Sequence, residues 1–191
     1  MKGWFRVPGQ AGDRSVAEQM LGLEPALEVC KGKSVLDLGC AEGAISLEFA
    51  KAGASRVVGI EREVQFSEVA RQLCAGYPVE IINENLNPWI EAHPEPELFD
   101  IVLCLSIAHK VPDPAVCLSF ACRSAKEFVA FRGPGKKEMF WDGWLTAKHA
   151  PEGQKERIRS HVPTVMQSHG FKEGATLDSG QGERIQYWHR Q

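Results

Sequence analysis

Strand-like apolar runs alternate with segments of helical period along most of this chain, and this alternation constrains the fold more than any other feature. Runs such as "SVLDLG" at 34–39, "RVVGIE" at 56–61 and "FDIVLCLS" at 99–106 are each followed by a stretch with helical spacing. The last run is almost continuously apolar, which is typical of a central strand covered on both faces. The alternation predicts an α/β fold with a doubly wound, mostly parallel sheet.

The two ends of the chain complete this prediction. Residues 1–14 have no clear period and are predicted to form an irregular arm. "SVAE" at 15–18 matches a capping box that opens a helix running to about Cys30, with a kink near Pro25. Near the C-terminus, "FKEGATLDSGQGERIQYWHRQ" is typical of two strands around a turn. The expected sheet therefore has seven strands, with helices on both faces and a C-terminal antiparallel hairpin.

Length and composition favour a single domain. The 191 residues carry a net charge of −3, so the net charge does not predict a phosphate-binding surface. Within the domain, we expect an N-terminal arm and helix at 1–32, a cofactor-binding core at 33–133, a variable helical cover at 134–170 and the hairpin at 171–191.

Cysteine usage and hydropathy suggest where the protein resides. The six cysteines form no CxxC pair and lie mostly in apolar runs, which is typical of buried, reduced thiols in the cytoplasm. The N-terminus is too polar for a signal peptide, and no apolar run approaches the roughly 20 residues that span a bilayer. We therefore expect a cytoplasmic monomer or homodimer. No His, Asp or Cys cluster suggests a metal site.

The turn after the first core strand, "GCAEGA" at 39–44, is expected to bind a ligand, because ligands lie at the carboxyl ends of parallel strands. A nucleoside triphosphate loop is excluded, since Ala44 stands where that loop needs a lysine. A dinucleotide loop fits Gly39 and Ala44, but the methyl group of Ala41 would crowd the pyrophosphate. Asp37, just before the turn, would also repel a diphosphate.

S-adenosylmethionine (SAM) removes both objections. It has no phosphate to crowd Ala41, and its amino group and sulfonium are positively charged, so the carboxylate of Asp37 favours it. An acid at the end of the next strand, Glu61, can accept hydrogen bonds from both ribose hydroxyls.

At this point the sequence resembles the class I SAM-dependent methyltransferases, from about Lys33 to the end of the chain. "LDLGCAEG" is similar to the first motif of that family, "GIE" to its second-strand acid, "NENL" to its adenine-binding segment and "FDIVLCLSIAHKVPDP" to its fourth-strand motif. Two positions depart from the pattern. Ala41 replaces the usual middle glycine, and Lys110 stands where many members have a histidine, which puts in doubt any acid–base role of that histidine here.

The resemblance implies a set of cofactor contacts. They are Asp37, Gly39 and Gly43 at the methionine end, Glu61 at the ribose, Asn85 and Leu86 at the adenine, and Leu105 or Ser106 beneath the sulfur, with Cys40, Ala41 and Arg62 completing the set. The candidates for contact with the acceptor, or for proton transfer, are His109 and Lys110. Asp113, before Pro114, is expected to cap a helix, and Arg132 is expected to be a solvated charge.

The predicted function is methyl transfer from SAM to an oxygen or nitrogen of a small molecule. Because the leaving group is a neutral thioether, alignment of the acceptor supplies most of the catalysis, and a base is needed only if the acceptor must lose a proton. Three alternatives remain: a methyltransferase acting on RNA, a SAM-binding protein without activity, and a nicotinamide-dependent oxidoreductase.

Overall fold

A mixed sheet of seven strands runs through the centre of the protein. The structure is a computed structural model that describes residues 3–8, 11–133, 161–180 and 183–191. Within these ranges it does not describe the side chains of Trp4, His109 and His161. The strands of the sheet are β3 (Ser34–Leu38), β4 (Arg56–Ile60), β5 (Val79–Ile82), β6 (Phe99–Leu105), β7 (Ala125–Arg132), β8 (Phe171–Asp178) and β9 (Arg184–Arg190). Two shorter strands, β1 (Gly3–Phe5) and β2 (Gly12–Arg14), form a separate pair.

Seven α-helices lie in the described ranges and alternate with the first strands of the sheet. They are α1 (Val16–Met20), α2 (Glu24–Val29), α3 (Ala44–Lys51), α4 (Val64–Leu73), α5 (Leu86–Ala92), α6 (Pro114–Ser124) and α7 (His161–Ser168). A short 3-10 turn, Ala108–Lys110, follows β6. None of these helices has the length and apolar character that crossing a bilayer requires.

The strand order is β5-β4-β3-β6-β7-β9-β8, and β9 runs antiparallel to both of its neighbours. The pairs from β5 to β7 are all parallel. Their registers align the carboxyl ends, since Leu38 pairs with Ile60 and Leu105 with Arg132. The predicted doubly wound sheet with a C-terminal hairpin is confirmed, and the carboxyl ends of its parallel strands form one edge.

Apolar residues on the two faces of the sheet form separate cores, as the near-continuous apolar strands require. On one face, Val35 and Leu103 pack with helix residues such as Phe49 of α3. On the other face, Leu36 and Leu38 pack with Leu118 of α6. All six cysteines are free and buried, as their positions in apolar runs predict.

The N-terminal region differs from the sequence prediction in two ways. The arm is not irregular throughout, because β1 and β2 pair in parallel, with Gly3 opposite Gly12. The helix expected to reach Cys30 is interrupted, so that α1 and α2 are separate. The break falls at Gly22, which has φ of 81°, and not at Pro25, which lies in the first turn of α2 and is tolerated there.

Other element boundaries follow the predictions closely, with one exception. The strand expected at 79–86 ends at Ile82, because Asn85 caps α5 and Leu86 begins it. Asp113 caps α6 as predicted, accepting hydrogen bonds from the amides of Ala115 and Val116. The capping box of α1 is confirmed as well. The variable cover expected at 134–170 lies largely outside the described residues.

Candidate cofactor-binding site

The loop between β3 and α3 is held against the end of β4. The amides of Gly39 and Cys40 both donate to the carbonyl oxygen of Ile60, at 2.9 and 3.1 Å. Gly39 and Gly43 have positive φ angles of 75° and 74°. A Cβ on Gly39 would lie 2.7 Å from Cδ1 of Ile107, and one on Gly43 would lie 2.9 Å from Cβ of Ala70. Both positions therefore require glycine for conformation and for space.

Ala41, the residue that departs from the family pattern, also adopts a left-handed conformation, with φ of 50°. A side chain in this region is unfavourable by roughly 1–2 kcal/mol, which explains why glycine is usual here. The amide of Ala41 donates to Oε2 of Glu61 at 3.0 Å, and this charge-assisted bond helps to hold the strained residue in place.

Glu61 stands at the carboxyl end of β4 and is only 9% exposed. Its Oε1 accepts a second hydrogen bond, from the amide of Glu63 at 2.8 Å. A carboxylate offers about four acceptor positions, so two positions remain for another ligand. The loop thus fixes the orientation of Glu61 and leaves it capacity for two hydroxyl groups.

Asp37 lies beneath the loop and is 2% exposed. Its Oδ2 accepts a hydrogen bond from Oγ of Ser46 on α3 at 2.7 Å. Burial raises the pKa of Asp37 to about 6, against the lowering effects of Ser46 and of the Arg132 charge. A buried carboxylate with a raised pKa is stabilised by a cation placed beside it. The sequence indicated Asp37 but not Ser46, which lies in the first turn of α3.

Cys40 and Arg62 differ in burial, since Cys40 is buried and the side chain of Arg62 is exposed. Cys40 is 3% exposed and lies over Gly59, where a Cβ would be 2.7 Å from its Sγ. Burial strongly raises the pKa of the Cys40 thiol, which keeps it neutral. The guanidinium of Arg62 is exposed and pairs with Glu63 at 2.9 Å. The backbone of Cys40 therefore belongs to the loop, and Arg62 lies at its rim.

The residues after β5 face the same edge of the sheet. Asn83 donates to the carbonyl oxygens of Glu61 and Arg62, at 2.8 and 3.0 Å, and so joins the ends of β4 and β5. Asn85 is exposed, and its oxygen accepts from the amide of Asn87 at 3.3 Å as the cap of α5. Leu86 is 5% exposed. Asn83 begins the "NENL" segment, but sequence reasoning singled out only Asn85 and Leu86 within it.

The segment after β6 forms the opposite side of the site. Leu105 is 7% exposed and packs in the core, whereas Ser106 is half-buried and has φ of 55°. Ile107, which sequence reasoning missed, contacts the position where Gly39 lacks a side chain. The side chain of His109, the first catalytic candidate, lies outside the described part of the chain.

Lys110, the second catalytic candidate, ends the 3-10 turn after β6. The residue as a whole is exposed, yet burial of its ammonium lowers the pKa of Lys110. The charge of Glu61 opposes this lowering, while Arg62, Arg132 and Arg14 add to it. Lys110 therefore lies within electrostatic range of the ribose-side carboxylate.

Arg132, at the end of β7, corrects one sequence prediction. It is not a solvated charge, since it is only 3% exposed and its guanidinium makes hydrogen bonds to Ser106 and Gln19. Burial lowers its pKa, opposed by Glu183. Its partners are distant in sequence, so no local pattern indicated this burial.

The carboxylates near the loop distinguish between the candidate ligands. Asp37 and Glu61 both lie close to the bend, and within the described ranges no group of His, Cys, Asp and Glu is arranged to hold a metal ion. A diphosphate at the bend would be repelled, whereas a cationic nucleoside would be attracted. The buried acid, the two glycines and the remaining acceptor positions of Glu61 fit SAM.

The sheet order with its antiparallel β9, together with this loop and its acids, defines a class I SAM-dependent methyltransferase fold. The model of a methyltransferase domain family matches residues 30–133, slightly more than half of the chain. The chain belongs to this family.

Curated relatives match a little under half of the chain. The ubiquinone biosynthesis O-methyltransferase of Photorhabdus laumondii is 39% identical over 87 residues, which are 44% of this chain and 34% of that protein. Its counterpart from Neisseria meningitidis is 40% identical over 86 residues, which are 44% of this chain and 36% of that protein. The match thus spans about a third of the length of these relatives.

Solved structures share the fold over nearly the whole chain. The magnesium protoporphyrin IX methyltransferase of Synechocystis, crystallised with bound SAM, has a TM-score of 0.65 and 19% identity, covering 92% of this chain and 80% of that one. A SAM-dependent methyltransferase from Aquifex aeolicus has a TM-score of 0.62 and 17% identity, covering 90% of both chains. Similarity at this level of identity concerns the fold alone.

Proposed function

We propose that this protein transfers a methyl group from SAM to an oxygen atom of a small-molecule acceptor. The observation that carries the proposal is the glycine loop flanked by Asp37 and Glu61 at the carboxyl edge of the sheet. Family membership supports the class of reaction, and the names of the curated relatives favour oxygen over nitrogen as the acceptor atom.

In this proposal the edge of the sheet holds the cofactor from end to end. Asp37 and the loop from Gly39 to Gly43 bind its methionine end, and Glu61 binds the ribose. Residues Asn85 and Leu86 contact the adenine, with Leu105 and Ser106 beneath the sulfur. The loop backbone at Cys40 and Ala41 lines the site, and Arg62 stands at its rim.

When bound, SAM supplies a methyl group on a cationic sulfur with a neutral thioether as leaving group. The residues around it then have two tasks. The turn after β6 aligns the acceptor with the methyl–sulfur bond, which is a matter of proximity and orientation. A hydroxyl acceptor must also lose its proton, and we assign this step to Lys110 or His109. The lowered pKa of Lys110 suits that task, because it increases the neutral fraction near physiological pH.

We also propose that the chain forms one methyltransferase domain. The described part of the core at 33–133 and of the hairpin at 171–191 belongs to one continuous sheet, which supports this division. The acceptor is expected to be covered by the arm and by residues 134–170.

Calorimetric titration tests the proposal first, with SAM, S-adenosylhomocysteine (SAH) and NAD⁺ added in parallel to the full chain. We expect the two sulfur nucleosides to bind and NAD⁺ not to bind. Turnover is then measured as SAH release in the presence of phenols, carboxylic acids and aliphatic alcohols, with the matching amines as a control for nitrogen acceptors.

The outcomes separate the remaining interpretations. SAH release with an oxygen acceptor supports the proposal. Binding of SAH without turnover on any acceptor indicates a binding protein, and binding of NAD⁺ alone indicates an oxidoreductase. Methylation of RNA that weakens steeply with salt would replace the small molecule with a nucleic acid.

A further inference from the structure

We propose that Arg132 is a positioning residue for the cofactor site, holding the Ser106 turn in its left-handed shape and tying that turn to the N-terminal segment. The inference rests on the proposed function and extends it to a residue whose side-chain hydrogen bonds go to Ser106 and Gln19.

Ser106 needs such a hold. With φ of 55°, it adopts a conformation that residues with a side chain rarely occupy. Two hydrogen bonds link it to Arg132: its amide donates to the Arg132 carbonyl oxygen at 2.8 Å, and Nε of Arg132 donates to its Oγ at 3.2 Å. One residue therefore holds Ser106 by both backbone and side chain.

The shape of this turn decides where the next residue lies. Ile107 follows Ser106 directly and occupies the space next to Gly39, at the distance where a Cβ would clash. If Ser106 relaxed to an ordinary φ, Ile107 would leave this position or move into the loop. Arg132 thereby controls one wall of the loop that we propose binds the methionine end of the cofactor.

The other side of the guanidinium is fixed by distant parts of the chain. Nη1 and Nη2 donate to the backbone oxygen and to Oε1 of Gln19 in α1, at 3.1 and 2.7 Å. The carboxylate of Glu183 lies 3.8 Å from Nε and also binds Arg14 of β2 through two hydrogen bonds of 3.0 Å. The N-terminal segment and the turn before β9 thus keep Arg132 in its buried position.

The test is rescue of SAH affinity, measured by calorimetry on the full chain. Arg132→Lys keeps the charge but cannot make the forked contacts to Ser106 and Gln19. We expect it to weaken SAH binding by about five- to thirtyfold. This fold-change corresponds to the free-energy cost of a left-handed conformation at a residue with a side chain, once the contacts that hold it are lost. Adding Ser106→Gly should restore most of the affinity, because glycine adopts this φ without help. Arg132→Lys should also lower the unfolding midpoint through its lost contacts to Gln19, and Ser106→Gly should not restore this part because it returns none of them.

Arg56→Lys is the matched control, since Arg56 is half-buried at the opposite end of β4 and pairs with Glu80 and Glu97. It should bind SAH like the wild type. If Arg132→Lys loses stability but keeps its SAH affinity, or if Ser106→Gly rescues nothing, the residue is structural only and the inference is wrong.

A second pair of variants answers the question if Arg132→Lys does not fold. Ser106→Ala loses the Oγ acceptor and keeps the strain, whereas Ser106→Gly loses both. We expect the alanine variant to bind SAH several-fold more weakly than the glycine variant, and equal affinities would overturn the inference. A wild-type chain that binds no SAH would overturn the proposed function, and the inference with it.

Discussion

Glu61 has two roles at the residue scale, because the carboxylate that we propose binds the ribose also holds the loop. Its oxygens accept hydrogen bonds from the backbone amides of Ala41 and Glu63. Sequence could indicate the acid at the end of a strand, since such an acid is a local signal. It could not indicate that the strained Ala41 depends on the same side chain.

Replacing this carboxylate should therefore weaken cofactor binding in two ways. We expect Glu61→Gln to lose roughly 1.5–3 kcal/mol of SAH binding per ribose hydrogen bond that it no longer accepts. Glu61→Ala should lose more, because the Ala41 amide is then left without its acceptor. Calorimetry checks both variants, with Glu63→Gln at the exposed rim as control. Unchanged affinity in Glu61→Ala would contradict the ribose assignment.

Asp37 should make cofactor binding depend on pH. Its pKa is about 6 in the folded chain, above the ordinary 3.8, because burial disfavours the charged form. Between pH 3.8 and about 6, Asp37 is mostly ionised in the unfolded chain but mostly protonated in the folded chain. The contribution of Asp37 to stability therefore falls as the pH rises through this range. A bound cation favours the ionised form, and SAM affinity should therefore rise as pH increases through about 6.

Asp37→Asn tests this dependence while keeping an oxygen for the Ser46 hydroxyl. The variant should bind SAM more weakly above the transition and show a flatter pH profile in calorimetry. Binding of SAM that strengthens on this substitution would show that the charge of Asp37 does not favour the cofactor.

Lys110 should determine the pH profile of turnover if it accepts the proton of the acceptor. With an acceptor found by the SAH-release assay, kcat should rise as Lys110 deprotonates. Lys110→Arg keeps the positive charge but does not release its proton in the pH range of the assay, so the rise of kcat with pH should disappear. His109→Gln is the parallel variant. If the rise disappears in His109→Gln and not in Lys110→Arg, the proton is accepted by His109.

At the scale of elements, sequence predicted what depends on neighbouring residues. The capping box of α1 and the cap of α6 are confirmed because cap and helix lie within a few positions of each other. The pairing of β1 with β2 was missed, since three-residue strands carry no usable period. The burial of Arg132 was missed because Gln19 lies 113 residues away.

The α1 capping box gives a prediction at this scale. Ser15→Ala removes the acceptor of the Glu18 amide and the hydroxyl that donates to Oε2 of Glu18. We expect it to reduce the free energy of unfolding by about 1 kcal/mol, measured by chemical denaturation. Ser168→Ala, an exposed serine at the end of α7, is the control and should change it by less than about 0.5 kcal/mol. Equal effects would mean that the capping box contributes no specific stability.

At the scale of the whole molecule, the alternation of strand and helix periods was sufficient to predict the sheet. Parallel strands joined through helices wind in one hand, so few topologies remain once the elements are known. The position of β9 between β7 and β8 was not predicted, because the sequence of the hairpin indicates that two strands pair with each other but not which of them joins the sheet. The acceptor could not be predicted, because its site is built from variable segments and the fold does not specify it.

The most direct test of the central claim is a crystal structure of the full chain with SAH. We expect the nucleoside at the bend between Gly39 and Gly43, with its ribose hydroxyls on Glu61 and its amino group on the side of Asp37. An empty bend in crystals soaked with SAH, or a diphosphate lying across Ala41 in crystals soaked with NAD⁺, would contradict it.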